Sequence, residues 1–123
     1  MTSLALPAVQ QPSFSASASE AERTITVRLS GTADGQAHPY LDRYLKTLHE
    51  EACRLGTPQV TVDLGALQFI NSSCLMLFVT WLTWLHDLEA GRQYRVTLSS
   101  STNHQRRSFA ALANVALGLV TVQ

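Results

Sequence analysis

The chain has 123 residues, 46% hydrophobic and 15% charged, with a formal net charge of zero. That is enough for one domain with one core, and too apolar for a disordered chain. The neutral balance argues against a nucleic-acid or anionic-membrane surface, which needs clustered Lys and Arg, and Arg106-Arg107 is the only adjacent basic pair.

Residues 1 to 12 are rich in Ala, Pro, Gln and Ser without periodicity and read as a flexible tail, leaving residues 13–123 as a single domain. Ser13 to Ser17 and Thr24 to Leu29 read as two strands joined by a hairpin loop over Ala18 to Arg23. In the second, Ile25, Val27 and Leu29 alternate with Thr24, Thr26 and Arg28, as a half-buried strand requires. Gly31 to His38 is a loop, and Pro39 opens a helix in which Leu41, Tyr44, Leu45, Leu48, Ala52 and Leu55 share a face. Gly56 and Pro58 stop it.

Gln59 to Leu64 is the next strand, extended by Phe69 and Ile70. A second helix runs from about Ser72 to Ala90, and Tyr94 to Leu98 is another strand. Thr102 with Gln105 fits a capping box opening a third helix to about Val115, and Leu119 to Val122 closes the chain as a strand. The order is β-β-α-β-α-β-α-β. It implies an α/β fold with a mostly parallel sheet of four to five strands and three helices.

From Leu64 to Leu85 no residue is charged, a length that could span a bilayer. Asn71, Ser72 and Ser73 fall near its middle, so a strand, a turn and a buried helix explain the run better than membrane insertion. No basic residue precedes Arg23 and Pro7 interrupts the short apolar start, which argues against export; the expected location is the cytoplasm, with Cys53 and Cys74 reduced. The histidines and cysteines are dispersed, so neither a metal site nor another cofactor is expected.

The stretch Val60-Thr-Val-Asp-Leu-Gly-Ala-Leu-Gln-Phe-Ile-Asn-Ser-Ser-Cys-Leu75 resembles the central motif of the STAS domain, named for sulfate transporters and anti-sigma factor antagonists. Gly31-Thr-Ala-Asp34 is similar to that family's Gly-Glu-Leu-Asp loop, and the resemblance covers about residues 22 to 122. It implies a regulatory module that binds a protein partner: an anti-sigma-type serine kinase that phosphorylates the serine after the motif's aspartate, with a phosphatase to reset it. That position is Ser72; Ser73 matches the second serine and is the weaker candidate. Asn71 replaces the family's aspartate and Cys74 its glycine. These departures lean toward an alternative the resemblance also implies, an unphosphorylated accessory STAS subunit of a cytoplasmic complex such as a bacterial lipid-transport ATPase.

Residue chemistry leaves two readings of the turn. Asn71 or Ser72 caps a helix and does nothing more. Alternatively, the helix start tolerates a phosphoserine of about −1.5 to −2 charge, turning a neutral docking patch into an anion without unfolding anything. A nucleophile elbow lacks its glycines here, so no enzyme is expected. The second helix carries an apolar arc wider than one sheet contact needs. Leu75, Phe78, Val79, Leu82 and Leu85 are assigned to the sheet. Met76, Trp81 and Trp84 are assigned, with Asp34, Asn71, Ser72, Ser73 and Cys74, to a surface for a partner or for a homodimer.

Overall fold

The structure is a computed structural model and describes residues 4–123. Six strands form one sheet in sequential order: β1 (Val9–Gln11), β2 (Phe14–Ala21), β3 (Thr24–Ala33), β4 (Gln59–Ile70), β5 (Arg95–Ser99) and β6 (Val120–Val122). Three helices join the later strands: α1 (His38–Leu55), α2 (Ser72–Asp87) and α3 (Asn103–Ala110). The first two pairings are antiparallel and the last three parallel. The mostly parallel α/β reading therefore holds. The strand count is corrected from four or five to six, because Val9–Gln11, within the stretch read as tail, pairs with β2. Residues 1–3 of that stretch lie outside the described residues.

Each parallel crossover steps one strand further in the same direction, so crossovers of one hand place their helices on one face of the sheet. The alternation follows from that. Ile25, Val27 and Leu29 on β3, Val60, Val62 and Leu64 on β4, and Val96 and Leu98 on β5 are all buried as their spacing predicts. The other face is polar: the paired residues Thr26, Thr61, Thr97 and Thr121 form a rank across four strands. On that face Arg28 meets Asp63 at 3.4 Å.

Several boundaries differ from expectation. The β2–β3 hairpin has no six-residue loop; pairing continues to Ala21 opposite Thr24, and the turn is Glu22-Arg23, both at positive φ. Such a two-residue turn usually announces itself with Asn-Gly, which is absent here. β3 runs past Gly31 to Ala33. Gly31 is required there: its φ is 89°, and a Cβ would strike the carbonyl oxygen of Ser13, which accepts the Thr32 N–H at 2.7 Å. α2 stops at Asp87, and Ala90–Arg92 is a 3-10 turn. α3 gives way to a 3-10 turn at Ala111–Asn114.

The buried stripe of α2 is Cys74, Phe78, Trp81, Leu82 and Leu85. Leu75 and Val79, assigned to the sheet from spacing alone, are only partly buried. The helix is rotated so that Trp81 faces inward, where the Tyr94 hydroxyl accepts its indole N–H at 2.8 Å. Among the described residues, no helix is long and apolar enough to cross a membrane.

Candidate functional site

β4 ends at Ile70 and the chain enters α2 through Asn71. Two irregularities in β4's pairing with β3, between Arg28 and Ser30 and between Gly31 and Thr32, each add one residue to β4, so the strand's phase shifts at Leu67 and is restored before the turn. Asn71 is the N-cap, with extended backbone at φ −84° and ψ 170°. Its N–H donates to the Ala33 carbonyl at 2.9 Å, tying the turn to the end of β3. Its Oδ1 accepts the Cys74 N–H at 2.9 Å, one of the donors a helix start leaves unpaired.

Ser72 and Ser73 follow, both exposed. They are not equivalent. Ser73 Oγ donates to Asn71 Oδ1 at 3.2 Å, whereas the Ser72 hydroxyl has no hydrogen bond among the described residues. Cys74 turns inward and its thiol donates to the Asp34 carbonyl at 3.4 Å. Burial, reinforced by the Asp34 carboxylate, pushes that thiol's pKa up, the opposite of the activation a helix N-terminus can provide. Cys74 is a packing residue that locks α2 against the β3–α1 loop.

Asp34 holds that loop. Its Oδ1 accepts the N–H of Gln36 at 3.0 Å and of Ala37 at 3.2 Å, a turn that leads into α1, whose own N-cap Ala37 makes no side-chain cap. The structure thus brings together Asp34, Asn71, Ser72, Ser73 and Cys74. Met76, one turn on, is 58% exposed and continues the surface. Trp81 does not belong to it: it is fully buried, and its assignment to a partner surface is corrected. Trp84 is half-buried and lies with Lys46, His49 and Glu50 at the α1–α2 seam.

One exposed residue beside the turn was not foreseen. Phe69, read only as extending the strand, is 54% exposed. Phe69 lies on the face opposite Val60, Val62 and Leu64, paired with Thr32; the irregularities turn Leu67 inward instead, and Gly65-Ala66 inside a strand was the available sign of a bulge. Phe69 lines a cleft of about 370 Å³ between the end of β4 and α3. α3 is anchored there by Gln105, whose Nε2 donates to the carbonyls of Leu64 at 2.8 Å and Leu67 at 3.2 Å. The expected cap is present, since Thr102 Oγ accepts the Gln105 N–H at 3.0 Å; Gln105 Oε1 reaches back to the N–H of Ser101 rather than that of Thr102. Among the described residues, no group of His, Cys, Asp and Glu side chains could hold a metal ion.

A sequential, mostly parallel six-stranded sheet with three crossover helices is the STAS-like fold of anti-sigma factor antagonists. Among solved structures, an anti-sigma factor antagonist from Mycobacterium paratuberculosis superposes with a TM-score of 0.66 at 16% identity, over 92% of this chain and 90% of that one. The anti-sigma factor antagonist SpoIIAA in its unphosphorylated form matches with a TM-score of 0.59 at 16% identity, over 88% and 87%. No family model and no curated relative matches the sequence.

Proposed function

We propose that the chain is a regulatory protein-binding module of the anti-sigma factor antagonist type, acting in the cytoplasm by binding rather than catalysis, with Ser72 as its phosphoacceptor. The observation that carries this reading is the difference between the two serines. Ser72 stands exposed with its hydroxyl unengaged on the first turn of α2, while Ser73 is occupied by the cap. Support also comes from the fold likeness, one neighbour being described by its unphosphorylated form. A phosphate on Ser72 sits where the helix dipole and free N–H groups favour negative charge, so the fold survives. What changes is the Asp34, Ser72 and Met76 surface, which a partner serine kinase would cover. A new charge there is costly to desolvate unless the partner offers cations. A phosphatase restores the neutral patch.

The test is intact mass after incubation with the partner kinase, alongside binding of Ser72→Ala and Ser72→Asp. Ser72→Ala should stay folded, unmodified and bound; Ser72→Asp should fold and bind weakly. Unmodified wild-type protein bound as tightly as both variants would overturn the switch and favour the accessory-subunit reading.

A further inference from the structure

One stripe of α1 faces the N-terminal segment and the edge strand β1. Tyr40, Arg43, Tyr44 and Thr47 recur at i, i+3, i+4 and i+7, and they form one wall of a cleft of about 560 Å³. The opposite wall is the backbone and side chains of residues 6–11, from Leu6 through β1. This second wall is held in place: Leu4, Leu6 and Val9 pack against the core, and Glu51 Oε1 of α1 accepts the Ala5 N–H at 2.5 Å. The volume lies within the range of small-molecule sites, roughly 300–1,000 Å³.

The cleft's chemistry has a sign. No acidic side chain lines it, and Arg43 has no ion pair among the described residues. Tyr44 is only 3% exposed, and its hydroxyl is buried without a hydrogen-bond partner. Burial also raises its pKa, so it remains a proton donor at neutral pH. A buried hydroxyl left unpaired costs about 1–3 kcal/mol, which an acceptor seated beside it would recover. Leu6, Pro7, Val9 and the tyrosine rings supply the apolar remainder.

We propose that this cleft binds a small carboxylic acid with an apolar body, its carboxylate received by the Arg43 guanidinium and the Tyr44 hydroxyl and its hydrocarbon part lying between residues 6–9 and α1. Arg is the side chain suited to clamp a carboxylate with two parallel hydrogen bonds. The site is independent of the Ser72 surface, which is built on the β4–α2 turn and the β3–α1 loop.

The probe is decanoate, titrated into the full chain and followed by backbone amide resonances, with decanol as the uncharged control. Decanoate should shift resonances of residues 6–11 and 40–47 and leave 71–76 unmoved. Decanol should bind at least about tenfold more weakly, as should decanoate to Arg43→Gln. Tyr44→Phe should also weaken decanoate binding, yet leave the unliganded protein as stable as wild type or more so, because it deletes the unpaired hydroxyl. The proposal is overturned if decanoate leaves residues 6–11 and 40–47 unshifted to about 1 mM, if decanol binds equally well, or if Arg43→Gln changes nothing.

Discussion

The Tyr94 hydroxyl accepts the Trp81 indole N–H at 2.8 Å and lies 2.6 Å from His49 Nδ1. This one oxygen ties β5's entry to α2 and α1. The hydroxyl has one proton and two lone pairs, so it serves Trp81 as acceptor and His49 in either sense, and His49 Nε2 lies 4.0 Å from Cys53 Sγ.

Tyr94→Phe keeps the ring and removes the oxygen, stranding a buried indole N–H. The expected loss is about 1–3 kcal/mol in urea unfolding. Adding Trp81→Phe should lower stability by less than the two single losses combined, since the double variant leaves no buried indole N–H unpaired. A Tyr94→Phe protein as stable as wild type would show that the bond contributes nothing.

His49 gives a pH dependence. Burial lowers its pKa below 6.5, with Glu50 opposing and Arg92 assisting. The folded state therefore binds fewer protons than the unfolded one, and stability falls as pH drops from about 6.5 through the lower folded value. Glu51 acts in a separate window. Its hydrogen bond to Arg54 holds its pKa at about 2 against an ordinary 4.5, so its contribution is lost as pH falls between those values. Urea midpoints measured against pH should show both steps; His49→Gln should remove the upper one and Glu51→Gln the lower.

Asn71→Ala removes the acceptor of the Cys74 N–H and should cost about 0.5–2 kcal/mol. Asn71→Asp keeps the cap and should leave the melting temperature close to wild type. If the added charge beside Ser72 matters to switching, this variant changes phosphorylation rate or partner affinity without changing stability. Equal values on both readouts would make the replacement of the family's aspartate functionally silent.

Two glycines separate backbone strain from steric clash. Gly31 and Gly56 both have positive φ, but a Cβ at Gly56 meets nothing within 4 Å, whereas one at Gly31 strikes Ser13. Gly56→Ala should cost about 1 kcal/mol or somewhat more. Gly31→Ala should cost several times that, or yield no folded protein, because the β2–β3 backbone must part. Circular dichroism melts of the two variants compare them directly.

Much of the fold was legible in the sequence because its signals are local. Period-two alternation marked Ile25, Val27, Leu29, Val60, Val62 and Leu64, and a cap chemistry marked Asn71. The same locality explains the misses. Val9–Gln11 carries no periodic signal and becomes a strand only because β2 offers an edge. Leu67 is buried, against strict alternation from Leu64, because a pairing irregularity shifts the phase of β4 before it, and irregular pairing involves two strands at once.

Trp81 marks the boundary between what the sequence determined and what packing decided. The sequence by itself set the order of strands and helices, the apolar character of α2 and the cap at its start, since propensity, alternation and capping act within a few residues. Only the tertiary structure decided which arc of α2 turns inward. A helix apolar over most of its surface has no preferred rotation of its own; the choice fell to Tyr94, thirteen residues away, whose buried hydroxyl satisfies the one polar atom of Trp81.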